Sequence, residues 1–178
     1  MTSRTRSFPP RRPVSASALR ILGVDPGLAR TGYGVIELHN GSGARLVEAG
    51  LIRTSHTETL PRRLARVAQG LKALIGQHKP DIMAVEDLYS YYKTPKPAIL
   101  MGHVRGVVLG TAALTDIPVF SYLPTRIKQA VVGQGHASKA QVARLVQMRL
   151  NLKESQVPAD VTDALAAALC HADTLRKR

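Results

Sequence analysis

Four carboxylates stand where they could work together. Asp25 ends the apolar run Ile21-Leu22-Gly23-Val24 and precedes the turn residues Pro26-Gly27. Glu86 ends a second apolar run, Ile82-Met83-Ala84-Val85. Asp160 and Asp163 stand three residues apart at the start of an Ala- and Leu-rich stretch, which puts both on one face of a helix's first turn. Strand-end acids can converge at the carboxyl edge of a sheet, and a helix laid across that edge adds two more. Four clustered carboxylates repel one another and demand a cation. Their hard oxygen ligands suit Mg²⁺ or Mn²⁺ rather than Zn²⁺. Two such ions about 3.5–4 Å apart can activate water and stabilise the leaving oxygen of a phosphodiester. Each acid also has a plainer use: Asp25 as a turn residue, Asp160 and Asp163 as first-turn acids favoured by the helix dipole. Asp87 is the one acid that could exchange roles with Glu86. His171, eight residues past Asp163, lies near the same helical face, and Cys170 reads as core.

The charge points to a polyanion. The chain carries 25 Lys and Arg against 12 Asp and Glu, a net charge of +13. Residues 88–153 hold nine of those bases against one acid, Asp116, while residues 21–87 and 154–175 together are slightly acidic. A basic excess packed into one segment fits a nucleic-acid surface better than a merely solvated face. Tyr89, Tyr91 and Tyr92 open that segment beside Lys93 and Lys96, where rings could stack on exposed bases. Gly133 to Lys139 combines a Gly-rich turn, a helix start and a cation, a pattern suited to phosphate.

The elements that must position these groups follow from periodicity. Strands are expected over Ile21–Val24, Tyr33–Leu38 and Arg45–Thr54, an antiparallel meander with Asn40-Gly41 as a turn signal. Leu60, Leu64, Val67, Leu71, Leu74 and Ile75 mark a helix that stops before Pro80. A fourth strand runs from Ile82 to Glu86, a helix starts at Pro97, and a fifth strand spans Ile117–Phe120. Helices from Pro124 to Val132, from the capping box Ser138-x-x-Gln141 to Leu150, and from Asp160 to Leu175 complete the chain. This order predicts one α/β domain over residues 19–175: a five-stranded mixed sheet with helices on both faces. Gly102, Gly106 and Gly110 recur every four residues, which offers a bare helical face either to the sheet or to a second copy of the chain.

Residues 1–18, rich in Arg, Ser and Pro, read as a disordered basic arm or an organelle transit peptide, and residues 176–178 as a basic tail. The single Cys excludes an intrachain disulfide framework. The densest apolar run, Val104–Leu114, contains Arg105 and falls short of the roughly 18 residues that span a bilayer. No signal-peptide core follows the N-terminus, so a soluble cytoplasmic protein is expected.

Taken together, these residues resemble the RuvC family of Holliday junction resolvases, within the ribonuclease-H-like superfamily. Ile21-Leu22-Gly23-Val24-Asp25-Pro26-Gly27 with Thr31-Gly32-Tyr33-Gly34-Val35 resembles the family's first strand and hairpin. Ala84-Val85-Glu86 resembles its second acidic site, and Asp160-x-x-Asp163-Ala164-Leu165-Ala166 its C-terminal acidic pair. Gln129-Ala130-Val131, followed by Gly133-x-Gly135-x-Ala137-x-Lys139-x-Gln141-Val142, is similar to its loop-and-helix signature. The resemblance implies that Asp25, Glu86, Asp160 and Asp163 are catalytic and bind Mg²⁺ or Mn²⁺, with two ions per site. It places Tyr89 where the family stacks an aromatic on unpaired junction bases. Lys93, Lys128, Gly133, Gly135 and Lys139 join it as DNA-binding positions. It also implies a homodimer that nicks two like-polarity strands of a four-way junction, leaving 5′-phosphate and 3′-hydroxyl ends, beside a RuvA–RuvB branch-migration complex. The Arg-rich arm and the prolines of Tyr91–Pro97 depart from the family pattern. Rival readings are a ribonuclease-H-like nuclease for RNA–DNA hybrids, an actin- or sugar-kinase-like ATP-binding protein, and a non-catalytic binder of branched DNA.

Overall fold

A computed structural model describes residues 18–39, 42–87, 95–152 and 157–176. Five strands form one sheet: β1 (Leu19–Asp25), β2 (Arg30–His39), β3 (Ser42–Arg53), β4 (Ile82–Glu86) and β5 (Val119–Tyr122). Their order is β3-β2-β1-β4-β5. The first three strands pair antiparallel, whereas β1–β4 and β4–β5 are parallel. Five helices complete the fold: α1 (Leu60–His78), α2 (Pro95–Leu114), α3 (Pro124–Val132), α4 (Lys139–Leu150) and α5 (Ala159–Arg176). The mixed sheet and its helical order are those of a ribonuclease-H-like α/β domain. The turn signal Asn40-Gly41 lies outside the described residues.

Alternation along the strands splits the core into two layers. Leu22, Val24, Val35, Met83 and Val85 pack against Val67, Leu71 and Ile75 of α1 and Val104, Val108 and Ala112 of α2. Ile21, Ile36 and Ala84 face α5 on the other side, and Ile127, Val131, Val142 and Val146 of α3 and α4 complete that layer. Helix α5 is therefore covered almost all round: residues 164–172 are buried without a break. Such a helix reads as uniformly apolar rather than striped.

Small residues allow α5 its close approach. A Cβ on Gly23 would collide with the Ala164 carbonyl, one on Gly32 with the Asp160 carbonyl, and one on Gly34 with the Leu165 side chain. These three positions lie on β1 and β2, on the face that α5 crosses.

The ends of the helices follow their expected chemistry. The capping box at Ser138 and Gln141 forms in both directions. Lys79, the C-cap of α1, takes a left-handed conformation with φ 47° just before Pro80. Strand β5 differs from expectation, beginning at Val119 rather than Ile117. Asp116, at φ 55°, ends the preceding turn. Pro118 has no N–H and uses its carbonyl for the Met83 N–H, so regular pairing starts one residue later.

Helix α2 bears on one open alternative and one expectation. Its three glycines do not meet the sheet, because a Cβ at Gly102, Gly106 or Gly110 would touch nothing among the described residues. Contact with the sheet is made by Val104, Val108 and Ala112 instead. Taken as a whole helix rather than an unbroken run, Lys96–Leu114 is long and apolar enough to cross a membrane by length and composition alone. Its Arg105 is held at the sheet edge, donating to the Ser121 hydroxyl at 2.8 Å and pairing with Asp87 at 3.0 Å.

The glycine contacts predict opposite outcomes at two sites. Gly23→Ala must displace the α5 backbone and is expected to cost about 1–3 kcal/mol. Gly76→Ala, in α1 with nothing among the described residues near its Cβ, is expected to gain about 0.5–1 kcal/mol. Chemical denaturation of both variants checks the pair, and equal effects would refute the packing role of Gly23.

Candidate active site

The sheet order sets the site. Asp25 and Glu86 end the adjacent parallel strands β1 and β4 and so share the carboxyl edge of the sheet. Helix α5 starts over this edge, bringing Asp160 beside β2 and Asp163 toward the two strand ends. Burial raises the Asp25 carboxyl from 3.8 to about 7, helped by the charges of Asp163 and Asp160 and opposed by Lys139. Glu86 rises from 4.5 to about 7, first through burial, then through Asp25 and Asp163, against Lys139 and Lys128. The acids sense one another, as the sequence predicted for a convergent set.

Two cations answer part of this negative charge. Lys139 Nζ lies 3.2 Å from Asp163 Oδ2, and Arg30 Nε lies 2.9 Å from Asp160 Oδ2. The Lys139 ammonium is correspondingly pushed up, chiefly by Asp163. With two acids leaning on these partners, no group of three His, Cys, Asp or Glu among the described residues is gathered closely enough to hold an ion as it stands. The donor set nonetheless fits a hard divalent cation: it is all carboxylate oxygen, with Asp160 and Asp163 paired to cations and Asp25 and Glu86 raised by burial and by the neighbouring acids.

A cavity of about 140 Å³ opens beside the acids, lined by Glu86, Asp163, Lys128 and Lys139 over Ile127 and Val142. Lys128 comes from α3 and Lys139 is the first residue of α4. Gly133 caps α3 in a left-handed conformation with φ 86°, its carbonyl accepting from the Gln129 amide at 2.8 Å. Gly135 follows in the short link between the helices, beside the Thr125 carbonyl. The turn thus brings both lysines to one side of the carboxylates. A second hollow of about 810 Å³, between β3 and the ends of α4 and α5, is lined by Arg45 and Arg53 and, among the described residues, by no acid.

Several residues take other places. Asp87 pairs with Arg105 of α2, away from α5, so it does not exchange with Glu86. His171 is buried in the core, its Nδ1 2.6 Å from the Tyr122 hydroxyl and its ring 4.4 Å from Phe120. Arg149 makes a two-pronged pair with Asp173 at 2.6 and 2.8 Å. Arg105 and Arg149 are therefore structural members of the basic segment. Tyr89 and Lys93 lie outside the described residues. Arg30 was missed by sequence reasoning: its signal is five residues of separation from Asp25, at the far end of the same turn.

The model of the family described as crossover junction endodeoxyribonuclease RuvC matches residues 21–171. This chain belongs to the RuvC family. A curated RuvC from Rhodopirellula baltica is 48% identical over 159 residues, covering 89% of this chain and 88% of the relative. The RuvC of Moorella thermoacetica is 48% identical over 152 residues, covering 85% and 90%. Among solved structures, Thermus thermophilus RuvC in complex with a Holliday junction substrate superposes with a TM-score of 0.84 at 34% identity, covering 89% of this chain and 96% of that one. The yeast mitochondrial resolvase Ydc2, at 17% identity and a TM-score of 0.62, shares the fold.

The raised acids fix a pH dependence in this RuvC-family site. A carboxyl with a folded-state pKa above its unfolded value holds its proton more tightly when folded, so stability falls as pH rises from about 4 through 7. Keeping Asp25 charged at pH 8 costs up to about 4 kcal/mol. In EDTA, Asp25→Asn is expected to raise the melting temperature at pH 8, with the gain shrinking toward pH 5. A gain independent of pH would exclude this origin.

Proposed function

We propose that this chain is a Holliday junction resolvase: an endodeoxyribonuclease that nicks two strands of like polarity at a four-way junction in recombination and repair. The observation that carries the reading is the convergence of Asp25 and Glu86 with Asp160 and Asp163 at one basic-flanked sheet edge, in a chain of the RuvC family. We assign Asp25, Glu86, Asp160 and Asp163 as the catalytic set that would hold Mg²⁺ or Mn²⁺, two ions per site. When bound, such ions supply Lewis-acid stabilisation of the attacking and leaving oxygens of the phosphodiester.

The chain's own residues do the rest. Asp25 and Glu86, half-buried at strand ends, cannot swing away and so fix where the scissile phosphate sits. Carboxyl oxygens not engaged elsewhere accept the proton of the attacking water or orient it in line with the departing 3′ oxygen, leaving 5′-phosphate and 3′-hydroxyl ends. Lys128 and Lys139, with the Gly133–Gly135 turn, bind the flanking phosphates, which position the strand without reading its bases. From the family resemblance, Tyr89 stacks on unpaired bases at the junction centre; Lys93, beside the tyrosines in the basic segment, adds a backbone contact. Residues 19–175 form the nuclease domain, with residues 1–18 a basic arm and 176–178 a basic tail. The protein works in the cytoplasm beside a RuvA–RuvB branch-migration complex.

A four-way junction has two strands to cut, and a two-fold enzyme suits it. The open glycine face of α2, with Ile99 57% and Leu114 88% exposed, supports that helix as the contact of a homodimer. Bare backbone patches at i, i+4 and i+8 let two helices approach closely.

Cleavage of a labelled mobile four-way junction tests the activity, with a linear duplex and an RNA–DNA hybrid as competing substrates. Paired, metal-dependent nicks on the junction are expected, and none in EDTA. Asp25→Asn is expected to lower nicking by about 10²-fold or more while junction binding survives. Preferential cutting of the hybrid would favour the rival nuclease reading. Gly106→Leu tests the dimer: a folded monomer by light scattering is expected, and a folded dimer would move the contact elsewhere.

A further inference from the structure

The sheet edge that carries the acids also carries two arginines. Along the order β3-β2-β1-β4, the residues at this edge are Arg53, Arg30, Asp25 and Glu86. Arg30 and Arg53 sit directly opposite each other in the β2–β3 register. Partners in such a register point to the same face, and like charges so placed repel. That face is the one α5 crosses, since Gly32, two residues from Arg30, lies against Asp160.

Neither arginine is neutralised by a full partner. Arg30 Nε lies 2.9 Å from Asp160 Oδ2 while the arginine side chain stays 57% exposed, so much of the guanidinium faces solvent. Arg53 is exposed, and among the described residues no acid pairs with it. Lys128 and Lys139 lie on the other side of the carboxylates, with α3 and α4. The acids are thus bracketed by cations on both flanks.

We propose that Arg30 and Arg53 form a second phosphate-binding flank, gripping the DNA backbone on the side of the scissile phosphate away from Lys128 and Lys139. The inference rests on the nuclease reading above and adds two contacts to it. Adjacent strands are about 4.8 Å apart, so the two guanidiniums can take consecutive backbone phosphates while the acids face the bond to be cut. Planar guanidinium forks match phosphate oxygens in pairs. The unfavourable cross-strand pair becomes favourable once an anion lies between its members.

Junction affinity of the full chain in EDTA, measured by fluorescence anisotropy across a salt series, tests this. Each phosphate contact contributes about 0.9 to the slope of log K against log salt. Arg30→Gln with Arg53→Gln is expected to flatten that slope by about 2, and Arg30→Lys with Arg53→Lys to restore most of it. An unchanged slope in a Gln variant that melts like the wild type would overturn the proposal, leaving Arg30 as a counter-ion of Asp160 only. Failure of the wild-type chain to bind the junction would instead strike the nuclease reading itself.

Discussion

The contact on which the molecule depends is the backbone-close packing of α5 against β1 and β2. It exists because Gly23, Gly32 and Gly34 present no side chain where Ala164, Asp160 and Leu165 lie. A helix held at that distance has little freedom to rotate or slide, since the interior transmits rather than absorbs displacement. Asp160 and Asp163 are thereby placed by main-chain contacts instead of by long side chains. Asp25 and Glu86 are placed by strand ends. All four acids rest on rigid elements, which a site needing sub-ångström placement favours.

That rigidity is set against an electrostatic cost, and the two ends of the sheet show how differently one fold treats its acids. Away from the site, Glu37 lies among Arg20, Arg45 and His39 and is pulled down to about 2, first by its bonds to the two arginines. At the site, Asp25 and Glu86 are pushed up to about 7. Glu37 stabilises the fold at neutral pH, whereas the strand-end pair opposes it. Nothing in packing requires two acids there, and a strained pair of this kind is what a functional site produces when it works against stability.

Much of this was legible in the sequence, for physical reasons. Strand and helix order followed from local periodicity, and the four acids stood out because each ends or opens an apolar element. Close approach of α5 was not legible, because Gly23, Gly32 and Gly34 acquire their purpose only from a helix more than a hundred residues downstream. The α2 glycines left a choice open: spacing identified a bare face but not which neighbour it meets. Asp87 parted from Glu86 because alternation sends consecutive strand residues to opposite faces, and Arg105 was waiting on the other one. Arg30 and Arg53 come together only through the β2–β3 register, which sets them side by side. Sequence shows what a residue can do locally; pairing register decides what it meets.

As a bare chain the site is electrostatically unfinished on both counts. The carboxylates carry more negative charge than Arg30 and Lys139 answer, and Lys128 and Arg53 beside them pair with no acid among the described residues. Divalent cations and a phosphate backbone would settle both imbalances at once, each making the other easier to bind. Anything that binds only the folded state also stabilises it, so the free energy withheld by the raised acids returns when the site is filled. A site built in this way discriminates by completeness: a polyanion without the ions still meets repelling carboxylates, and the ions without the polyanion leave the basic flanks unanswered.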